Sequence, residues 1–209
     1  MFKKLIILFN KIRKNNELIL VGLSQVIGLI SSIIFIKLVS HYASVSEYGL
    51  YSLVLSIAAF IALFPFTSFD QAISRYISIY HDEKTYPENY TNVLFLYILL
   101  ITLLLLLFGI FYPFFESYIS NEILKVFDIL LVFSVVNIFK TTILQIENFN
   151  RNRKIVLYSR IFEGVVRILL LIAIIMYSSV TAYNILLISS IIFLINILVI
   201  LFYRKDYLV

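Results

Sequence analysis

The sequence predicts an all-α protein, a polytopic membrane helical bundle of about six transmembrane helices with both ends on the cytoplasmic side. Three observations carry this reading. Hydrophobic residues make up 62% of the chain and charged residues 14%, whereas about a quarter of a soluble domain is charged, so water cannot be the solvent for most of the surface. The apolar residues gather into blocks close to the roughly 20 residues that cross a hydrocarbon core about 30 Å thick. The lysines and arginines crowd into alternate polar connections, as the positive-inside rule requires of short loops.

The blocks place spans at roughly 18–40, 48–68, 93–115, 126–147, 156–178 and 183–203. None shows the period-two alternation of barrel strands, which leaves the helix as the structure that satisfies its own backbone in lipid. Residues 18–209 therefore read as one six-helix bundle, with residues 1–17 as a basic segment ahead of it. In that segment Phe2, Leu5, Ile6, Phe9 and Ile12 recur at helical spacing beside Lys3, Lys4, Lys11, Arg13 and Lys14, the pattern of a short amphipathic helix lying on the inner leaflet. A plain basic tail that only sets topology is the alternative. The stretch 18–40 is too long for the apolar core of a cleavable signal, so it reads as a permanent span.

Orientation follows from where the cations fall. Five precede the first span, Arg75 and Lys84 follow the second, Arg151, Arg153 and Lys154 follow the fourth, and Arg204 and Lys205 follow the sixth. Lys125 stands on the opposite side. The net charge of +5 and the pI near 9.3 are thereby explained by topology rather than by nucleic-acid contacts. With zero cysteines and two histidines, neither a thiolate nor a histidine-built metal site is expected, and no cofactor is implied. The hydrolase, metalloprotease, P-loop and dinucleotide signatures are absent, so the chain does not read as an enzyme. Asp82-Glu83 reads as a solvated charge pair, and the sequon at Asn89 falls on the cytoplasmic side.

Candidate functional residues are the ionisable and polar side chains inside the spans, since each costs a few kcal/mol in hydrocarbon unless it has an interior role. Arg160, Glu163 and Arg167 share one face of the fifth span at spacings of three and four, which predicts a salt-bridge ladder along that helix. Counted from Val156 at ~1.5 Å per residue, Arg167 lies about 17 Å deep. The ladder has a cation left over, which points to a water-filled cationic cavity that receives an anion; simple neutralisation within the bundle is the alternative. In the fourth span Ser134, Asn137, Thr141 and Gln145 form a polar stripe with Lys140 beside it, either a second wall of the cavity or a helix-joining stripe with Lys140 reaching to the interface. Lys37 is expected to snorkel to the outer interface. Ser24, Gly28 and Ser32 in the first span, and Ser52 and Ser56 in the second, read as small residues for close helix packing. Pro65 is expected to kink the second span, and the third to face lipid.

Two motifs carry a family resemblance. Leu38-Val39-Ser40-His41-Tyr42, then Ser46-Glu47-Tyr48-Gly49-Leu50-Tyr51-Ser52-Leu53, continued by Asp70-Gln71-Ala72-Ile73-Ser74-Arg75-Tyr76, resembles the start of bacterial polysaccharide-biosynthesis flippases of the Wzx type, in the multidrug, oligosaccharidyl-lipid and polysaccharide exporter superfamily. Gln145 to Lys154 is similar to that family's basic connection between its fourth and fifth helices. The resemblance implies the N-terminal half of a two-bundle exporter in a bacterial inner membrane. Its cargo would be an undecaprenyl-pyrophosphate oligosaccharide bound for lipopolysaccharide or capsule. The implied partners are membrane lipids, a second six-helix half or a second copy, and polysaccharide-assembly proteins, without nucleic acid. Depth and spacing assign Arg167 as the deep anion contact, Arg160 and Glu163 as its partners, and Lys140 with Asn137 as the second wall. The motif puts Arg75 at the cytoplasmic mouth. A drug or small-cation antiporter, a membrane glycosyltransferase and a non-transporting scaffold are the competing readings.

Overall fold

The computed structural model describes residues 16–63, 66–67, 69–73, 86–116, 121–149 and 152–203. Over these residues the chain forms six long helices, α1 Asn16–Tyr42, α2 Val45–Leu63, α3 Tyr86–Glu116, α4 Phe127–Phe149, α5 Arg153–Tyr177 and α6 Ala182–Tyr203, with a single helical turn at Asn121–Leu124 before α4. No strand occurs among the described residues. The all-α membrane bundle expected from composition is what forms. Four of the helices, α1, α2, α3 and α6, are long and apolar enough to cross a membrane. The other two, α4 and α5, carry the charged residues of the site.

The basic segment before α1, Pro65, Arg75 and the pair Asp82-Glu83 lie outside the described residues. The third long helix begins at Tyr86 and holds Pro87 in its first turn, where a missing N–H costs nothing.

Ser44 sits between α1 and α2, and its Oγ accepts the Glu47 backbone N–H at 3.2 Å, which caps α2. The spacing Ser44-x-x-Glu47 is that of a capping box, but the Glu47 side chain does not return to Ser44. Its Oε2 instead accepts the backbone N–H of Ala182 at 2.6 Å, the first residue of α6. One carboxylate thereby ties two helix starts together, where the positive ends of both helix dipoles favour it. Thr181 Oγ1 caps α6 as well, accepting Asn184 N–H at 3.3 Å.

At the opposite end, the turn from α4 to α5 closes through Asn152, which donates its backbone N–H to Glu147 O at 2.9 Å and its side-chain amide to Glu147 Oε2 at 2.8 Å. Arg153 donates to Asn148 Oδ1 at 2.7 Å. The segment that resembled a basic connection thus holds itself by side-chain bonds.

In the packing, α1 runs along α5 and α4 along α6, with α5 and α6 joined beside them and α2 against α4. Gly164 makes the α1–α5 approach possible, since a Cβ there would stand 2.7 Å from Ser31 Cβ. Of the small residues expected to pack α1, Ser24 is buried, Gly28 gives room to Arg160, and Ser31 rather than Ser32 meets the neighbouring helix. The expectation for α2 is corrected: Ser52 and Ser56 are exposed, and the Ser56 hydroxyl bonds its own helix at Ser52 O. The buried face of α2 is instead Tyr51, Val54, Ala58 and Ile61. Between α5 and α6, buried Asn196 donates to Ser159 Oγ at 2.8 Å. Along α3, Phe95, Leu99, Leu106 and Ile110 are exposed, the outward apolar face expected of that helix. Lys37 is exposed.

Candidate functional site

The polar stripe of α4 and the charged face of α5 meet. Lys140 Nζ donates to both Glu163 oxygens, at 3.1 and 3.0 Å, in an ion pair across the two helices. This corrects the ladder expected along α5. Glu163 turns to a lysine on the neighbouring helix, because a contact to both carboxylate oxygens is stronger than an exposed pair between consecutive turns. Lys140 does not reach to an interface either. It is 8% exposed, and its Nζ lies 3.5 Å from the centroid of the Phe193 ring on α6, a cation–π contact that offsets part of its desolvation.

The two arginines point elsewhere. Arg167 lays its guanidinium over the Phe35 ring of α1, Cζ 3.8 Å from the centroid, and donates from Nη2 to the Tyr51 hydroxyl of α2 at 3.1 Å. Its Nε is buried without a hydrogen-bond partner. Arg160 lies along α1 beside Gly28, where its Nη1 makes two long contacts of 3.4 Å, to Ser24 O and Gln25 Oε1. Both arginines are therefore held by α1, and most of their ten N–H donors make no hydrogen bond within the chain.

Two chambers flank this cluster. The larger, about 700 Å³, lies between α1, α4 and α5 and extends toward the end that carries the α4–α5 turn, lined there by Gln25, Gln145 and Asn148. The smaller, about 310 Å³, lies toward the opposite end and is walled by Phe35, Tyr51, Phe133 and Phe193 with Asn137. Lys140, Glu163, Arg167 and Ser32 line both. The charged cluster thus forms the partition between a polar chamber and an aromatic one. With Arg160 also on the larger wall, three cations face one carboxylate, and the chamber is cationic.

Of the residues singled out from the sequence, Lys140, Glu163, Arg160, Arg167 and Asn137 converge here. Arg75 lies outside the described residues. Thr141 and Gln145 line the larger chamber as the stripe implied. Ser134 does not; it is buried, with its hydroxyl on Leu130 O.

Sequence reasoning missed the aromatic half of the site. Phe35 and Phe193 looked like ordinary apolar span residues and Tyr51 entered only as part of a motif, and their role depends on which helices meet. Asp70 was noticed only as part of a motif. In the structure its carboxylate accepts from the Tyr97 hydroxyl of α3 and pairs with Gln145 of α4, which ties both helices to the segment after α2. Burial raises the Asp70 carboxyl above its usual range, against the opposing pull of those two hydrogen bonds.

No group of three or more metal-ligating side chains occurs among the described residues. What the site offers is three cations and one carboxylate on the wall of a polar cavity. Compared with known proteins, residues 16–208 match the family described as polysaccharide biosynthesis protein. No curated protein and no solved structure matches the chain.

Proposed function

Because the chain belongs to the polysaccharide biosynthesis protein family, we propose that it moves a lipid-linked oligosaccharide from the inner to the outer leaflet of the bacterial cytoplasmic membrane. Membership carries the coarser role, a multi-pass membrane protein serving polysaccharide-related transport. The observation behind the finer reading is the cationic chamber, where Lys140, Arg160 and Arg167 face a cavity of about 700 Å³ with Glu163 as their counter-ion.

A pyrophosphate-linked glycan cannot cross hydrocarbon with its head group desolvated, because unpaired charge in an apolar medium is prohibitively costly. A chamber that offers guanidinium forks and amides replaces part of the lost hydration, while the lipid tail stays in the bilayer. Arg167 is the deep contact, with Arg160 nearer the entrance. The motif resemblance assigns Arg75 a head-group contact on the cytoplasmic side. In this account α4 and α5 also cross the bilayer, giving six spans, and a second six-helix half or a second copy completes the cavity on its open side. Rocking of the two halves then exposes the chamber to each side in turn.

The test is reconstitution of the protein in vesicles with a fluorescent lipid-linked oligosaccharide, scoring how much becomes accessible to a glycan-modifying reagent on the far side. Movement above that in protein-free vesicles is expected. Absence of movement, with the protein folded and any required second half present, would overturn the reading in favour of a scaffold. Movement of small cations instead would favour an antiporter.

A further inference from the structure

The position best suited to an anion is already filled. Glu163 holds Lys140 with both oxygens at 3.1 and 3.0 Å, in the partition that both chambers share. Arg167 and Arg160 stand one helical turn to either side of it on α5. Yet they bind α1 and α2 through a ring face, a hydroxyl and long carbonyl contacts. The Arg167 Nε stays buried without a partner. A carboxylate carries one negative charge and satisfies one of the three cations. A diphosphate carries more charge and more acceptor oxygens, and can engage Lys140 together with the arginine forks.

The partition is also a join. Since α5 packs along α1 and α4 along α6, the Lys140–Glu163 pair reaches across the chamber between α4 and α5. Anything that takes Lys140 away from Glu163 loosens that join at the point where the two chambers meet.

We propose that Glu163 is an internal counter-anion occupying the diphosphate position, and that the diphosphate of the cargo displaces it from Lys140, so that loading opens the partition between the chambers. This rests on the transport reading above. The exchange breaks no covalent bond: one ionic contact replaces another, and the released carboxylate faces the water of the larger chamber. Glu163 then sets specificity as well, since a singly charged anion gains too little from the three cations to repel the carboxylate that already holds the best of them.

The chain contains no cysteine, so spin labels on cysteines introduced at Val132 of α4 and Val165 of α5, both exposed and off the chamber walls, report the α4–α5 distance alone. The experiment uses the whole chain in zwitterionic lipid nanodiscs, with inorganic pyrophosphate as the probe. Binding is measured by calorimetry and distance by electron–electron double resonance. In the unsubstituted background, pyrophosphate is expected to lengthen the distance. Glu163→Gln should show the longer distance without pyrophosphate and bind it about tenfold more tightly or better, the lower end of what close charge pairs contribute. Should Glu163→Gln not fold, Glu163→Asp keeps the charge but shortens the reach to Lys140, and a smaller gain in affinity is expected.

Equal or weaker pyrophosphate binding by these variants, with normal binding by the parent, overturns the proposal and leaves the cationic-chamber reading intact. No pyrophosphate binding by any of them removes both. In a parallel arm, nanodiscs with phosphatidylglycerol and no pyrophosphate should keep the short distance. Lengthening by that lipid alone would assign the position to a lipid phosphate and overturn the diphosphate assignment.

Discussion

Two glutamates in this chain are each held by a partner far away in sequence, and they do opposite work. Glu47, at the start of α2, gives a carboxylate oxygen to the backbone N–H of Ala182 at 2.6 Å. Glu163, in the middle of α5, gives both oxygens to Lys140. The partner of Glu47 is a peptide group at a helix start, which nothing mobile can replace and which has no other use. The partner of Glu163 is a cation facing a cavity with two more cations nearby, and in the displacement proposal a diphosphate competes for it. A carboxylate spent on a helix end stabilises the fold. One placed among excess positive charge holds a site in readiness.

That contrast can be broken in several places. Lys140→Met should have the largest effect on stability, about 3 kcal/mol, because it strands Glu163 in a partly buried position. Adding Glu163→Gln should restore most of the loss, and heat denaturation of the detergent-solubilised protein reads both. Gly164→Ala pushes a methyl onto Ser31 and should cost about 2 kcal/mol. Ser31→Gly in the same chain removes the clashing carbon and should recover the melting midpoint. Glu47→Gln weakens a cap and should cost about 1 kcal/mol, with transport falling only in proportion to the amount of folded protein. Ser56→Ala, on the exposed face of α2, should leave the midpoint within about 0.5 kcal/mol.

Much of the fold was legible because bilayer thickness and backbone hydrogen bonding allow few solutions. The apolar blocks became helices, and the spacing of Arg160, Glu163 and Arg167 located the charged face of α5. What could not be read was the partner of each side chain. Along one helix Glu163 has Arg160 and Arg167 as neighbours, and only the packing of α4 beside α5 offers it Lys140. The stripe of small residues misled for Ser52 and Ser56 because a serine that bonds its own helix needs no neighbour. Phe35 and Phe193 gave no signal, since an aromatic residue in a span looks alike whether it meets lipid or a guanidinium. Glu47 stood in a recognisable motif, yet its partner lies 135 residues away.

The most direct test of the central claim is transport per folded molecule in vesicles for Arg167→Gln, set beside Glu47→Gln. The cationic-chamber account expects Arg167→Gln to reduce movement of the lipid-linked oligosaccharide by about a hundredfold, as loss of a buried charge contact does, while Glu47→Gln moves it at the parent rate. Parental transport by Arg167→Gln, at equal folded amount, would contradict the account.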